Sequence, residues 1–118
     1  MAEVPTLSPL IMALIGRHQL LRAQINIYPE GWKRPGHAWH HDGLKSGQAA
    51  MVFSVGAPVK QQWRRTQHGK RYEEVMMEHG DVVLFNAQTD QEWEHGVKYG
   101  AAGGRFRASL VLTVRIAT

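Results

Sequence analysis

The sequence predicts a mainly β-sheet protein with one short helix near its N-terminus. After that helix, short segments with alternating or continuous apolar residues follow one another, separated by turns that contain Gly, often with Pro or Asp. Seven or eight short strands with regular turns favour a sandwich or barrel over βαβ units. We expect a jelly roll, or double-stranded β-helix, in which residues 1–118 form one domain. Its open mouth can hold a metal and a small ligand.

The predicted elements follow from local patterns. Ser8 and Pro9 suit the N-cap and first turn of the helix, apolar residues at helical spacing continue to Ile15, and Gly16 ends it. The first strand alternates apolar and polar residues, and the last strand does so over a longer stretch. Strands are predicted over residues 21–28, 37–42, 49–55, 59–65, 72–77, 82–85, 95–99 and 105–116.

The composition excludes several kinds of site. The chain has no cysteine, which excludes a disulfide framework, a thiolate zinc site and a cysteine nucleophile. The apolar run at residues 10–15 is too short to span a bilayer, and no basic segment precedes it as in a signal peptide. We therefore expect a cytoplasmic protein that does not associate with membranes. We also expect it to be a monomer.

Basic residues give the chain a formal net charge of +4. A positive balance suits a polyanionic partner such as DNA or RNA, although an ordinary solvated surface gives the same composition. The basic residues cluster at Lys33–Arg34, Arg64–Arg65, Lys70–Arg71 and Arg105–Arg107.

Three residues form a candidate metal site. On a strand, residues two apart share a face, so His40 and Asp42 can reach one metal while His41 points away. His95, later in the chain, could supply a second imidazole. Two imidazoles and one carboxylate make the facial triad of non-haem Fe(II) oxygenases, which leaves coordination positions open. The alternative is a surface loop at 40–42 and a structural role for His95.

Polar residues on two strands form a candidate anion site. Arg107, Ser109 and Arg115 share one face of the last strand, and an interior arginine is costly unless it binds an anion. A dicarboxylate could supply that anion. On the first strand, Asn26 and Tyr28 can donate hydrogen bonds to a carboxylate. The alternative is that both arginines are solvated and the opposite, apolar face of the last strand is buried.

The order of these motifs resembles that of the AlkB family of 2-oxoglutarate- and Fe(II)-dependent dioxygenases. The resemblance covers about residues 23–116. The motifs that carry it are Asn26-Ile27-Tyr28, His40-His41-Asp42, Glu78-His79-Gly80-Asp81-Val82-Val83, His95-Gly96-Val97 and the arginine-rich last strand.

This resemblance implies a cofactor and a cosubstrate. Fe(II) would bind to three residues, His40, Asp42 and His95. The resemblance also implies that 2-oxoglutarate binds near Fe(II) and that O2 takes a remaining position. Residues that would contact 2-oxoglutarate are Asn26, Tyr28, Arg107, Ser109 and Arg115, of which Arg107 would pair with the distal carboxylate.

The last motif departs from the family pattern Arg-x-Ser/Asn-x-Thr-x-Arg. Arg107-x-Ser109 matches its beginning and Thr113-x-Arg115 its end, with two additional residues between them. A two-residue shift preserves the alternation of a strand, so both arginines are expected to face inward. Either arginine could then hold either carboxylate.

The resemblance also suggests a substrate. It implies oxidative demethylation or hydroxylation of a modified base in DNA or RNA, with Trp39, His41, Lys33 and Arg34 as candidate contacts. Family members that repair nucleic acid carry a nucleotide-recognition lid before Asn-x-Tyr; only 25 residues precede Asn26, so we expect that lid to be short or absent. The alternatives are a hydroxylase of a protein side chain, nucleotide or small molecule, a non-catalytic nucleic-acid-binding domain, or a cupin-like metal protein without 2-oxoglutarate.

Overall fold

The computed structural model describes residues 16, 18–32, 37–66, 71–98 and 104–116, with only the backbone at 37 and 38. The helix predicted at residues 8–15 lies outside these ranges. The described residues form strands and one short helix: β1 (Gln19–Tyr28), β2 (His37–His40), β3 (Gln48–Gly56), β4 (Val59–Arg65), β5 (Tyr72–Met77), β6 (Val82–Asn86), α1 (Ala87–Glu92), β7 (Trp93–Lys98) and β8 (Arg107–Arg115).

The strands form two four-stranded antiparallel sheets. The first sheet has the order β1-β8-β3-β6 and the second the order β2-β7-β4-β5, so the chain crosses repeatedly between them. The sheets face each other: the Trp63 ring of β4 meets the Phe85 ring of β6 edge-on, with centroids 5.2 Å apart. This arrangement agrees with the predicted mainly-β, jelly-roll-like fold.

Each strand begins and ends within two residues of its predicted boundaries. β4 and β5 coincide with their predicted ranges, but β2 ends at His40 rather than at residue 42. The sequence pattern also missed helix α1. Its N-cap is Asn86, whose side chain accepts a hydrogen bond from the Thr89 N–H at 3.0 Å, a common way for a helix to begin. No helix in the described ranges has the length and apolarity needed to cross a bilayer.

Apolar residues pack on both faces of the first sheet, which explains why residues 49–53 of β3 are continuously apolar. Alternate residues of β8 therefore form a polar face, which carries Arg107 and Ser109, and an apolar face, which is also buried. Between the sheets lie Leu44, Ala50, Val52, Phe85 and Ala87; on the opposite face lie Met51, Phe53, Leu112 and Val114.

Gly56 sets the close approach of β3 to the start of β8. Its φ of +92° belongs to the left-handed region, and a Cβ atom there would lie 2.8 Å from the Phe106 carbonyl oxygen. A Cβ would also lie 3.0 Å from the Cα of Arg107. A side chain at this position would therefore displace the backbone that carries Arg107.

We expect Gly56→Ala to lower the free energy of unfolding by about 3 kcal/mol, because it adds an overlap to the backbone strain. Gly80→Ala is the matched control, since Gly80 has a φ of +90° but no atom within 4 Å of its ideal Cβ. That control should cost only about 1 kcal/mol. Urea denaturation of both variants checks the difference, and equal losses would contradict this account of Gly56.

Candidate functional site

The two histidines of the candidate metal site lie on neighbouring strands of the second sheet. His40 ends β2 and pairs in register with His95 of β7, and their ring centroids are 4.4 Å apart. His95 is 5% exposed. Its ring stacks on Trp63 at 4.7 Å and meets Phe85 at 5.3 Å. Aromatic rings from both sheets therefore fix the orientation of this imidazole.

Asp42 completes a compact set of three possible ligands. Its Oδ1 lies 3.3 Å from the Nε2 of His40 and 3.3 Å from the Nε2 of His95. The three ligand atoms lie within 4.8 Å of one another. Two imidazole nitrogens and one carboxylate directed at one point are the donor set of a facial triad. The residues present therefore fit an Fe(II) ion.

Asp42 is suited to bind a cation because it stays ionised. Burial by itself would raise the pKa of Asp42, but hydrogen bonds from His40 and His95 lower it more, and the net pKa is far below its usual range. A carboxylate must be deprotonated to ligate a metal, and this one is so at neutral pH.

Asp90 of α1, rather than strand alternation, positions Asp42. The Asp90 carboxylate is 1% exposed and accepts hydrogen bonds from the backbone N–H groups of Asp42, at 2.7 Å, and Leu44, at 2.8 Å. The His41 Nδ1 donates to the Asp90 carbonyl oxygen. The expected extension of a strand through Asp42 is wrong, because the backbone after His40 bonds to this helix instead of to a neighbouring strand.

A cavity of about 270 Å³ runs between the sheets from the triad to Arg107. Arg107 is 3% exposed, and its Nη2 donates to the Ser54 Oγ at 2.8 Å. Its guanidinium carbon lies 5.1 Å from the centroid of the Tyr28 ring. Among the described residues, no carboxylate forms an ion pair with Arg107, and its buried Nε has no hydrogen-bond partner.

A buried arginine remains charged although burial lowers its pKa, so this end of the cavity is positive and suits an anion. Tyr28 adds a donor: burial raises the pKa of its phenol more than Arg107 and Ser109 lower it, which keeps the hydroxyl protonated. Asn26 lies alongside, with its Nδ2 3.5 Å from the Ser109 Oγ. The structure thus brings together Arg107, Ser109, Asn26 and Tyr28.

Comparison with known proteins agrees with this geometry. The sequence profile of the 2OG-Fe(II) oxygenase superfamily matches residues 7–115. The chain belongs to this superfamily. Fe(II) and 2-oxoglutarate are the cofactor and cosubstrate that the superfamily implies. No curated protein sequence matches the chain.

Solved structures show the same fold. OsALKBH1 is similar with a TM-score of 0.57 and 19% identity, over 80% of this chain and 47% of that one. The capsular polysaccharide assembling protein CapF from Staphylococcus aureus has a TM-score of 0.54 and 14% identity, over 84% of this chain and 25% of that one. A dTDP-4-dehydrorhamnose 3,5-epimerase from Bacillus anthracis has a TM-score of 0.51 and 9% identity, over 93% of this chain and 61% of that one. The chain therefore spans about a quarter of CapF and about half of OsALKBH1.

Arg115 does not line the cavity, although the sequence predicts that it faces inward. It is exposed at the end of β8, beyond Thr113, the last residue of that strand to line the cavity. The two additional residues in the last motif keep Arg115 on the same face of β8 as Arg107. They place its side chain one two-residue repeat beyond the end of the cavity. The expectation that Arg115 faces the cavity is therefore corrected.

Gln61 of β4 is a cavity residue that the sequence analysis missed. It is 5% exposed, lines the cavity, and its Oε1 has no hydrogen-bond partner among the described residues. A buried amide without a partner is costly, so this group suits a polar ligand or water. Neither Gln61 nor Asp90 belongs to a sequence motif, and Asp90 is 48 positions from the residue it holds.

The four residues predicted to contact the substrate do not all lie at the cavity. Lys33 and Arg34 lie outside the described residues. Trp39 does not line the cavity: the Arg64 guanidinium lies 4.3 Å from its ring centroid and the Tyr72 ring lies 6.0 Å away. His41 does line the cavity, at its exposed rim. Of these contacts, His41 is the one that the structure places beside the metal site.

The basic pair on β4 is largely neutralised. Arg64 lies 3.6 Å from Glu94, and Arg65 lies 3.6 Å from Glu92. This part of the surface therefore offers less positive charge to a polyanion than the sequence suggests.

We expect Asp90→Ala to weaken metal binding by roughly 10- to 100-fold, because the loop that carries Asp42 loses its acceptors. Unfolding free energy should fall by about 2–4 kcal/mol for the same reason. Titration with Mn(II) and urea denaturation measure the two effects, with Gln88→Ala, an exposed change on the same helix, as the control. A folded Asp90→Ala protein with unchanged metal affinity would refute this role.

Proposed function

We propose that the protein is an Fe(II)- and 2-oxoglutarate-dependent dioxygenase. The observation that carries the proposal is the buried Arg107, without a carboxylate partner among the described residues, in the same cavity as a His-Asp-His triad. A metal site alone would be compatible with many proteins, but a cation at the other end of the cavity specifies a ligand with a distant carboxylate.

His40, Asp42 and His95 would hold Fe(II) and leave the remaining positions for the 2-oxo acid and O2. When bound, Fe(II) and 2-oxoglutarate supply the oxidising power for hydroxylation of a C–H bond. The protein supplies position: Trp63 and Phe85 orient one imidazole, and Asp90 fixes the loop of the carboxylate ligand.

At the other end, Arg107 would bind the distal carboxylate in bidentate fashion, with donors from the Tyr28 hydroxyl and Ser109 beside it. Apolar residues line the cavity between the two ends and would limit the access of water to the bound cosubstrate. These residues are Val52, Val59, Met77, Val97 and Val111.

For the substrate, we propose a methylated base in DNA or RNA, which hydroxylation of the methyl carbon would demethylate with release of formaldehyde. The order of motifs that resembles the AlkB family and the net charge of +4 support this substrate class. An open rim beside His41 suits a base that is already unpaired or turned out of a helix. The second candidate is hydroxylation of a protein side chain, nucleotide or small molecule, favoured by the ion pairs that neutralise Arg64 and Arg65.

The experiment measures succinate formed from labelled 2-oxoglutarate with Fe(II) and ascorbate, with methylated or unmethylated single-stranded oligonucleotides, peptides or nucleosides. We expect turnover that a methylated oligonucleotide stimulates. Stimulation by peptides or nucleosides alone would select the second candidate. Absence of turnover, with neither iron nor 2-oxoglutarate bound, would contradict the dioxygenase proposal and favour a non-catalytic binding domain.

His40→Ala and His95→Ala should each reduce succinate formation to background, because two ligands hold Fe(II) poorly. His79→Gln is the control: His79 is exposed in the 78–81 turn, where its Nδ1 accepts from the Gly56 N–H at 3.0 Å and a glutamine oxygen can replace it. Turnover retained by both ligand variants, with native circular dichroism, would exclude this metal site.

Arg107→Ala should raise the KM for 2-oxoglutarate about 100-fold, since the loss of a buried charged pair costs about 3 kcal/mol. Arg105→Ala, an exposed arginine two positions earlier, should leave the KM unchanged. Steady-state kinetics over a range of 2-oxoglutarate concentrations check both variants. An unchanged KM in the Arg107 variant would exclude it as the binding residue of the distal carboxylate.

A further inference from the structure

We propose that Arg22 of β1 is the second anion-binding residue of the cavity and holds the carboxylate of the 2-oxo acid that lies beside the metal. The inference rests on the proposed function and deepens it. Arg22 would be the second arginine of the site in place of Arg115, but from a different strand.

The register of the first sheet places Arg22 near the metal end of the cavity. Arg22 pairs with Thr113 of β8, Thr113 pairs with Ala50 of β3, and Ala50 pairs with Phe85 of β6. Phe85 is the residue whose ring contacts His95. These four residues lie side by side in one row across the four strands, and we call such a row a level of the sheet. This level faces the triad, and both Arg22 and Thr113 line the cavity.

A ladder of side chains directs the Arg22 guanidinium along the cavity wall. Its Nη2 donates to the Gln24 Oε1 at 3.0 Å, and the Gln24 Nε2 donates to the Asn26 Oδ1 at 2.9 Å. Asn26 in turn reaches Ser109. The guanidinium therefore extends from its own level towards that of Gln24, on the side of the distal carboxylate site.

The guanidinium groups of the two cavity arginines therefore reach neighbouring rows of cross-strand residues in the first sheet. Arg107 donates to Ser54, which pairs with Ser109, whereas Arg22 donates to Gln24, which pairs with Val111. Successive levels on one face are two residues, about 7 Å, apart along a strand. Two cations at this spacing suit a short dicarboxylate whose two charged ends are separated by a few carbon atoms.

The charges of the cavity support the same ligand. Among the residues that the structure describes, no carboxylate forms an ion pair with Arg22, and its bond to Gln24 uses only one of the five guanidinium N–H groups. With a divalent metal bound, the positive charges in the cavity are those of the metal, Arg22 and Arg107. The Asp42 carboxylate alone would not neutralise them. A dianion with one carboxylate towards each arginine reduces that charge.

Binding of two 2-oxo acids to the Mn(II)-loaded protein separates the two arginines. 2-Oxoglutarate has both carboxylates, whereas 2-oxopentanoate keeps the carboxylate beside the keto group and has a methyl group in place of the distal one. By calorimetry, Arg22→Gln should weaken both ligands by a similar factor of about 10 to 30, since both lose the same charge-assisted hydrogen bonds. Arg22→Lys should recover part of that loss.

Arg115→Gln is the matched control, because it makes the same change beyond the cavity; it should leave both affinities within about twofold. Three results would overturn the role of Arg22: unchanged 2-oxoglutarate affinity in a folded Arg22→Gln protein, a loss confined to 2-oxoglutarate, or an equal loss in Arg115→Gln. Failure of the unaltered protein to bind either 2-oxo acid would instead overturn the proposed function, and this inference with it.

Discussion

The buried positive charge of Arg107 is the constraint on which the interpretation of this cavity depends. Its guanidinium is enclosed by Ser54 and Tyr28, and no described carboxylate neutralises it. Burying a charge without a counterion costs several kcal/mol, so such a residue is retained where a ligand supplies the opposite charge. Gly56 belongs to the same constraint, because its missing side chain lets the backbone of β8 approach at Arg107.

The two sheets divide the work of the site. The second sheet and the loop after β2 provide the His-Asp-His triad, whereas the first sheet provides the candidate anion-binding residues of β1 and β8. Contacts across the interior join them: Phe85 of the first sheet touches His95, and Asp90, just after β6, holds the backbone of Asp42. A change in the spacing of the sheets would therefore alter both ends of the cavity together.

Features carried by local periodicity could be predicted from the sequence. The ranges of β4 and β5 and the polar, cavity-facing side of β8 follow from residues that alternate within one strand. The placement of Asp42 could not, because it depends on Asp90, 48 positions away and in no motif. That Arg22 rather than Arg115 lines the cavity depends on how β1 pairs with β8, and this register cannot be read from either strand alone.

The measurement that tests the central claim most directly is a crystal structure of the protein with Mn(II) and 2-oxoglutarate. We expect the metal to lie about 2.0–2.2 Å from the ligand atoms of His40, Asp42 and His95. The 2-oxo acid should chelate it and extend its distal carboxylate to Arg107. A metal bound elsewhere, or 2-oxoglutarate bound without contact to Arg107, would contradict the account.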